Sequence, residues 1–250
     1  MAPMTLVARQ LTHRYPGASR PALDGFDLTL HEGEIFGLLG PNGAGKTTAI
    51  SILSTILPPA AGSVTVKGLD LHQKKRAIRR MIGLVPQDIA LYPMLTTREN
   101  LRFFGKLQGL HGDRLHGRIA ETLAAVGLDH RADQPVRTFS GGMKRRANLA
   151  VGMLHEPRLL FLDEPTVGID PQSRELILER IKTLRDRGTT VLYTTHYMEE
   201  AQRLCSRVAI LDQGRILAQD TVDRLLAGST GAADLGALFL QLTGKALRDG

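Results

Sequence analysis

Apolar residues along this chain come in two rhythms. Short unbroken runs at residues 34–39, 82–86, 159–163, 190–195 and 208–212 are apolar at most positions, the pattern of strands in a sheet covered on both faces. Residues 47–56, 172–187 and 198–205 instead read as helices, and they alternate with those runs. From residue 96 to 154 the chain reads as mostly helical. Thr96-x-x-Glu99 is a capping-box pattern that opens one helix, and Gly127 closes another over residues 115–126. Ser140 is a good N-cap for a third, running to about residue 154. The order predicts an α/β fold whose core begins before residue 85, is interrupted by a helical insert at about residues 88–156, and then resumes. Residues 1–227 read as one domain, and residues 228–250 as a short helical tail after a Gly-Ser-Thr-Gly break.

Composition sets limits on this picture. The 250 residues suit one generous domain, and 42% hydrophobic content is enough for a sizeable core. The single cysteine, Cys205, rules out an intrachain disulfide and suits a reducing compartment. The first residues lack a signal-peptide pattern, and no apolar run approaches the roughly 18–20 residues that span a bilayer. The net charge of +7 permits nucleic acid or an anionic membrane face as a neighbour. The densest basic stretch, Lys74-Lys75-Arg76 with Arg79-Arg80, reads as a solvated helix face. Its functional alternative is contact with anionic lipid, worth about 1 kcal/mol per basic residue. Lys144-Arg145-Arg146 likewise reads as a solvated face.

The chemistry is concentrated in three places. Gly40-Pro41-Asn42-Gly43-Ala44-Gly45-Lys46-Thr47-Thr48 fits G-x-x-x-x-G-K-[ST] at every fixed position, between a strand pattern and a helix pattern. Glycines let successive N–H groups curl around phosphates, Lys46 reaches the β- and γ-phosphates, and the Thr47 hydroxyl ligates Mg²⁺. Asp163 and Glu164 end the most apolar strand. Adjacent residues of an extended chain point to opposite sides, so one acid can serve a metal through water while the other orients a nucleophile. Finally, Ser140-Gly141-Gly142 forms a second helix start at which bare backbone N–H groups can approach a phosphate.

Together these residues resemble the nucleotide-binding subunit of an ATP-binding-cassette (ABC) transporter, over roughly residues 4–220. Gly40–Thr48 resembles the Walker A loop, Asp163-Glu164 the end of Walker B, and Phe139-Ser140-Gly141-Gly142-Met143 the family signature. Gln87 resembles the Q-loop glutamine, Asp170 the D-loop aspartate, His196 the switch histidine and Tyr15 the aromatic residue stacked on adenine. Met143 for the usual Gln, Phe139 for the usual Leu, and the tail Leu-Phe-Leu-Gln-Leu-Thr-Gly resemble the branch exporting drugs, lipids and polysaccharides. Tyr15 also stands in an ordinary Tyr-Pro-Gly turn, and Asp170-Pro171 is also a good helix start.

The resemblance implies a P-loop NTPase core with a mostly parallel sheet, an antiparallel β subdomain and an inserted α-helical subdomain. It implies ATP and Mg²⁺ as ligands, with Thr47, Gln87 and Asp163 as metal ligands and Glu164, His196 and Lys46 as catalytic residues. Nucleotide contacts would come from Tyr15, from residues 42–48, and from Gln87, Asp170 and His196, with Ser140, Gly141 and Gly142 facing the ATP of a second subunit. The implied partners are that second ATPase subunit, identical or not, and a separate transmembrane permease, which would hold the chain at the cytoplasmic face of the cell membrane. A non-transport ABC ATPase acting on DNA or the ribosome is the alternative, but the stretch between Gln87 and Ser140 carries no sustained heptads and there is a single Walker A loop. A P-loop kinase would need neither the Ser-Gly-Gly element nor His196.

Overall fold

A computed structural model describes residues 3–244. In chain order the elements are β1 (Met4–His13), β2 (Leu23–His31), β3 (Ile35–Leu39), α1 (Lys46–Leu53), β4 (Ala61–Val66), β5 (Leu69–Asp70) and α2 (Lys75–Arg79). There follow β6 (Ile82–Val85), α3 (Thr97–Leu107), α4 (Gly112–Ala125), short 3-10 turns at Asp129–Arg131 and Val136–Thr138, α5 (Gly141–Met153), β7 (Leu159–Asp163) and α6 (Pro171–Asp186). The chain ends with β8 (Thr190–Thr195), α7 (Met198–Leu204), β9 (Arg207–Asp212), β10 (Arg215–Thr221), α8 (Val222–Ala227) and α9 (Leu235–Thr243). The elements divide into two compact units, one running to Arg79 and resuming at Thr190, the other Arg80–Thr189.

The first unit holds two sheets. In one, β3 lies between β8 and β9, parallel to both, with β10 antiparallel at the edge of β9. All five residues of β3 and all six of β8 are buried, which explains why both read as unbroken apolar runs. The other sheet is antiparallel, in the order β2-β1-β4-β5. Its central strand β1 shifts register against both neighbours near Gln10, whose φ of 50° marks an irregular step in the strand. The tail helix α9 packs in this unit: Asp234 caps it, and Leu235, Leu238 and Phe239 are buried. The predicted tail beyond residue 244 lies outside the described residues.

The second unit pairs β6 and β7 in parallel, with Val85 beside Leu162. Helices α3, α4 and α5 lie between these two strands in the chain. The predicted capping box is present: Thr96 Oγ1 accepts from the Glu99 N–H at 3.1 Å, and the Glu99 carboxylate accepts from the Thr96 N–H at 2.8 Å. Close backbone approach also fixes this unit. A Cβ on Gly83 would lie 2.2 Å from the Gly152 carbonyl, so β6 and α5 meet only through glycine.

Several boundaries differ from the sequence reading. Helix α1 stops at Leu53 rather than residue 56, because Thr55 is in the left-handed region and the Ile56 and Leu57 N–H groups both turn back to the Ser51 carbonyl. The helix expected over residues 115–126 begins earlier, at Gly112, and ends as predicted before Gly127, whose φ is 62°.

Candidate functional site

In the first unit, β3 and β8 run in parallel with Leu39 beside Thr195, so the segments that follow them leave the same, carboxyl edge of the sheet. Open α/β sheets bind ligands at that edge. The segment after β3 is the glycine-rich loop. Its geometry demands its glycines: a Cβ on Gly40 would lie 2.3 Å from the Leu211 carbonyl, and one on Gly45 2.4 Å from the Ala22 carbonyl. Gly43 and Gly45 have φ of 79° and 111°. Gly45 is the N-cap of α1 and offers no side chain, so the first N–H groups of that helix are uncapped by the protein and suited to an anion. Lys46 is buried, its ammonium donating to the Gly40 and Pro41 carbonyls at 2.8 and 3.1 Å. Asn42, Gly43 and Thr47 are exposed, whereas Ala44 and Thr48 are buried.

Tyr15 is tied to this loop. Its hydroxyl lies 3.2 Å from Thr48 Oγ1, and the His13 ring meets the Tyr15 ring edge-on at 4.9 Å. With 44% of its surface exposed, the Tyr15 ring is open to a stacking partner. The segment after β8 begins with His196, half-buried and against the Tyr197 ring at 4.2 Å. The first unit therefore brings Tyr15, the loop and His196 onto one framework.

The second unit repeats this logic. With Val85 beside Leu162, Gln87 and the Asp163-Glu164 pair follow the carboxyl ends of neighbouring parallel strands. Both acids are buried, at 2% and 4% exposure, and Glu164 has a φ of 46°. Strained backbone of this kind at a non-glycine residue clusters at functional sites. The described residues contain no group of three or more His, Cys, Asp or Glu side chains placed to hold a metal. Mg²⁺ does not need such a cage, since it binds through one or two protein oxygens together with phosphate and water.

Ser140 caps α5 as its sequence suggested, its hydroxyl accepting from the Met143 N–H at 3.3 Å. Asp170 caps α6, its carboxylate accepting from the Ser173 N–H at 2.8 Å, and that bond holds its carboxyl below the usual carboxylate range. The two helix starts are adjacent: a Cβ on Gly142 would fall 2.1 Å from Ser173 Oγ and 2.9 Å from the Asp170 carboxylate. Ser140, Gly141 and Asp170 are exposed while Gly142 and Phe139 are buried. The arrangement presents paired helix N-termini, with their N–H groups, to whatever lies outside this unit.

Two residues of α5 also belong here: Arg145, which the sequence predicted to lie on a solvated face, and Asn148, which it did not single out. Arg145 is not a solvated side chain: its guanidinium donates to the Gln87 carbonyl, and the carboxylates of Asp88 and Glu164 act on it while burial pulls its pKa down. Arg146 also turns inward, donating to the Val126 and Gly127 carbonyls at 2.9 and 3.1 Å. Asn148, buried one turn beyond Arg145, donates to the Pro86 carbonyl and accepts from the Ala90 N–H, both at 3.2 Å. The loop carrying Gln87 is thus fastened on both sides to the helix that Ser140 caps. The three-residue spacing of Arg145 and Asn148 was visible, but their partners are distant backbone carbonyls with no sequence signature.

Known proteins are similar to this chain. A family model described as ABC transporter matches residues 23–167. The linearmycin resistance ATP-binding protein LnrL of Bacillus subtilis (strain 168) is 52% identical over 197 residues, 79% of this chain and 63% of that protein. The daunorubicin resistance ATP-binding protein DrrA2 of Streptomyces coeruleorubidus is 49% identical, over 87% of this chain and 67% of that protein. The Nod factor export ATP-binding protein I of Cupriavidus metallidurans is 41% identical, over 91% and 75%. The chain thus spans 63–75% of the length of these relatives. Among solved structures, an ATP-binding subunit of an ABC transporter superposes with a TM-score of 0.86 at 31% identity, covering 96% of this chain and 99% of that one. An ATP-binding cassette solved as a dimer in a post-hydrolysis state with ADP and Pi superposes with a TM-score of 0.80 at 26% identity, over 86% and 98%.

Proposed function

This chain belongs to the ABC transporter family, and we propose that it is the ATP-binding and ATP-hydrolysing subunit of an exporter, working as a head-to-tail dimer beneath a separate membrane permease. The observation that carries this reading is the exposed helix start at Ser140 and Gly141, beside the Asp170 cap, in a chain that also has a complete phosphate loop. A phosphate loop alone describes a nucleotide-binding protein. A second, outward-facing phosphate-binding element describes how the nucleotide is used.

Magnitudes favour two subunits. A helix N-terminus stabilises an anion by about 0.3–1 kcal/mol, or about 2 kcal/mol when partly buried, so the α5 start cannot hold ATP by itself. Facing a γ-phosphate already held by another subunit's loop, it adds several charge-assisted hydrogen bonds of about 1.5–3 kcal/mol each. ATP then joins the subunits, and hydrolysis removes the bridging phosphate.

Within this reading Lys46 and the loop amides neutralise phosphate charge, and Tyr15 stacks on the adenine. Thr47, Gln87 and, through water, Asp163 would hold Mg²⁺, which offsets charge on the β- and γ-phosphates. Glu164 orients the attacking water, and His196 positions the γ-phosphate. Catalysis is mainly positioning and electrostatics. Because Arg145 and Asn148 fasten the Gln87 loop to α5, a change at Gln87 is passed to the helical insert.

No helix among the described residues is long and apolar enough to cross a membrane. In this reading the permease is a second chain, and the protein sits peripherally at the cytoplasmic face of the membrane. The exposed apolar side chains Tyr92, Met94, Phe103 and Leu107 of the helical insert suit its docking. The names of the relatives, drug resistance and Nod factor export, support outward transport. Co-expression with the membrane protein encoded beside it tests the assignment. Co-purification as a complex with ATPase activity is expected, and co-purification only with ribosomes or DNA would contradict it.

A further inference from the structure

Apart from the residues discussed so far, the second unit carries an open cavity of about 390 Å³, within the range of small-molecule sites, roughly 300–1,000 Å³, with Arg158 and Arg187 exposed to solvent. Its charged lining is four arginines, Arg114, Arg118, Arg158 and Arg187, against one carboxylate, Glu156. Part of this cluster is structural. Arg118 donates to the Leu154 carbonyl at the end of α5 at 3.1 Å, and Glu156 faces Arg118 at 3.3 Å and Arg114 at 4.0 Å. That accounts for two arginines and uses up the one carboxylate.

The guanidinium groups of Arg158 and Arg187 have no hydrogen-bond or ion-pair partner among the described residues. Like charges gathered at a concave surface repel one another, and their neighbourhood favours an anion. Guanidinium forks match phosphate oxygens two at a time. His155 adds no donor for an anion. Its Nε2 lies 2.9 Å from the Ile82 carbonyl, which can only accept, so Nε2 carries the proton, and Nδ1 is buried without a partner. Met153, Pro157 and Leu184 supply an apolar wall, so the lining suits a molecule with an anionic end and an apolar part.

The position of the cavity sets it apart from the nucleotide motifs. Met153 ends α5, Leu184 lies in the last turn of α6 and Arg158 immediately precedes β7. Ser140, Asp170 and the Asp163-Glu164 pair lie at the opposite ends of the same three elements. At helical rises of about 1.5 Å per residue, the two ends of α5 and α6 are roughly 20 Å apart.

We propose that this cavity is a second anion site, binding a small phosphate-bearing molecule through Arg158 and Arg187. The molecule would touch the far ends of the three elements that carry the signature, the D-loop and the Walker B acids, although binding itself does not depend on ATP hydrolysis.

The test uses the full chain saturated with Mg-ADP, so that the phosphate loop is filled, and titrates inorganic pyrophosphate while following arginine Nε–Hε resonances. Saturable shifts of the Arg158 and Arg187 signals are expected, with affinity at least tenfold weaker in Arg158→Gln/Arg187→Gln, which should bind ADP as the wild type does. Absence of saturable shifts, or equal pyrophosphate affinity in the double variant, would overturn the proposal. Vesicles of phosphatidylglycerol form a second arm. Shifts with vesicles but not with pyrophosphate would assign the surface to lipid headgroups and overturn the small-molecule site.

Discussion

Gly142 shows how much one residue can decide. Its missing side chain lets α5 and α6 begin side by side, and any Cβ there meets the short, buried Ser173 side chain rather than a flexible tip. Gly142→Ala should therefore lower stability by on the order of 1–3 kcal/mol through overpacking, read as a fall in the urea midpoint. The same chain carrying Ser173→Gly should recover part of that loss. An unchanged midpoint would mean that the helix starts are not packed as described. Asp170 makes a prediction about pH. Its folded-state pKa is lowered by the bond from the Ser173 N–H. Its contribution to the α6 start is thus fully present above the ordinary carboxylate pKa of about 3.9 and is lost as pH falls through the lower, folded value. A carboxyl NMR titration should show Asp170 titrating below the ordinary carboxylate range, and Asp170→Asn should keep the cap while removing the titration.

Elements show best where the sequence speaks and where it stays silent. The runs that became β3, β7 and β8 were legible because burial on both faces writes an unbroken apolar pattern. The α3 start was legible because a capping box is local chemistry. Thr96→Ala should accordingly cost about 1 kcal/mol, measurable by thermal unfolding, whereas Thr96→Ser should cost little. Strand β10 went unread because it is an edge strand with a half-exposed alternation. A signal was present: Gln213-Gly214, at φ of 48° and 80°, is the two-residue turn that joins β9 to β10. The inward course of Arg145 and Arg146 could not be read, since a basic triplet looks the same whether its partners are water or backbone carbonyls contributed by distant loops.

At the scale of the whole molecule, the family and the α/β cassette were legible from motif order, and the similarity to solved ATP-binding cassettes agrees with that reading. The arginine-lined cavity was not legible, because its lining comes from the ends of separate elements and matches no linear motif. In the proposed dimer this chain is half of a machine: the α5 start serves a nucleotide bound elsewhere, and ATP joins two copies or two related subunits. In that proposal Glu164 decides whether the joined state lasts. Glu164→Gln keeps size and polarity but removes the carboxylate proposed to orient water. The most direct measurement is the molecular mass of purified Glu164→Gln with Mg-ATP, taken together with the nucleotide it retains. A dimer holding unhydrolysed ATP is expected, dissociating when ADP replaces ATP. A monomer that binds ATP normally, or hydrolysis at the wild-type rate, would contradict it.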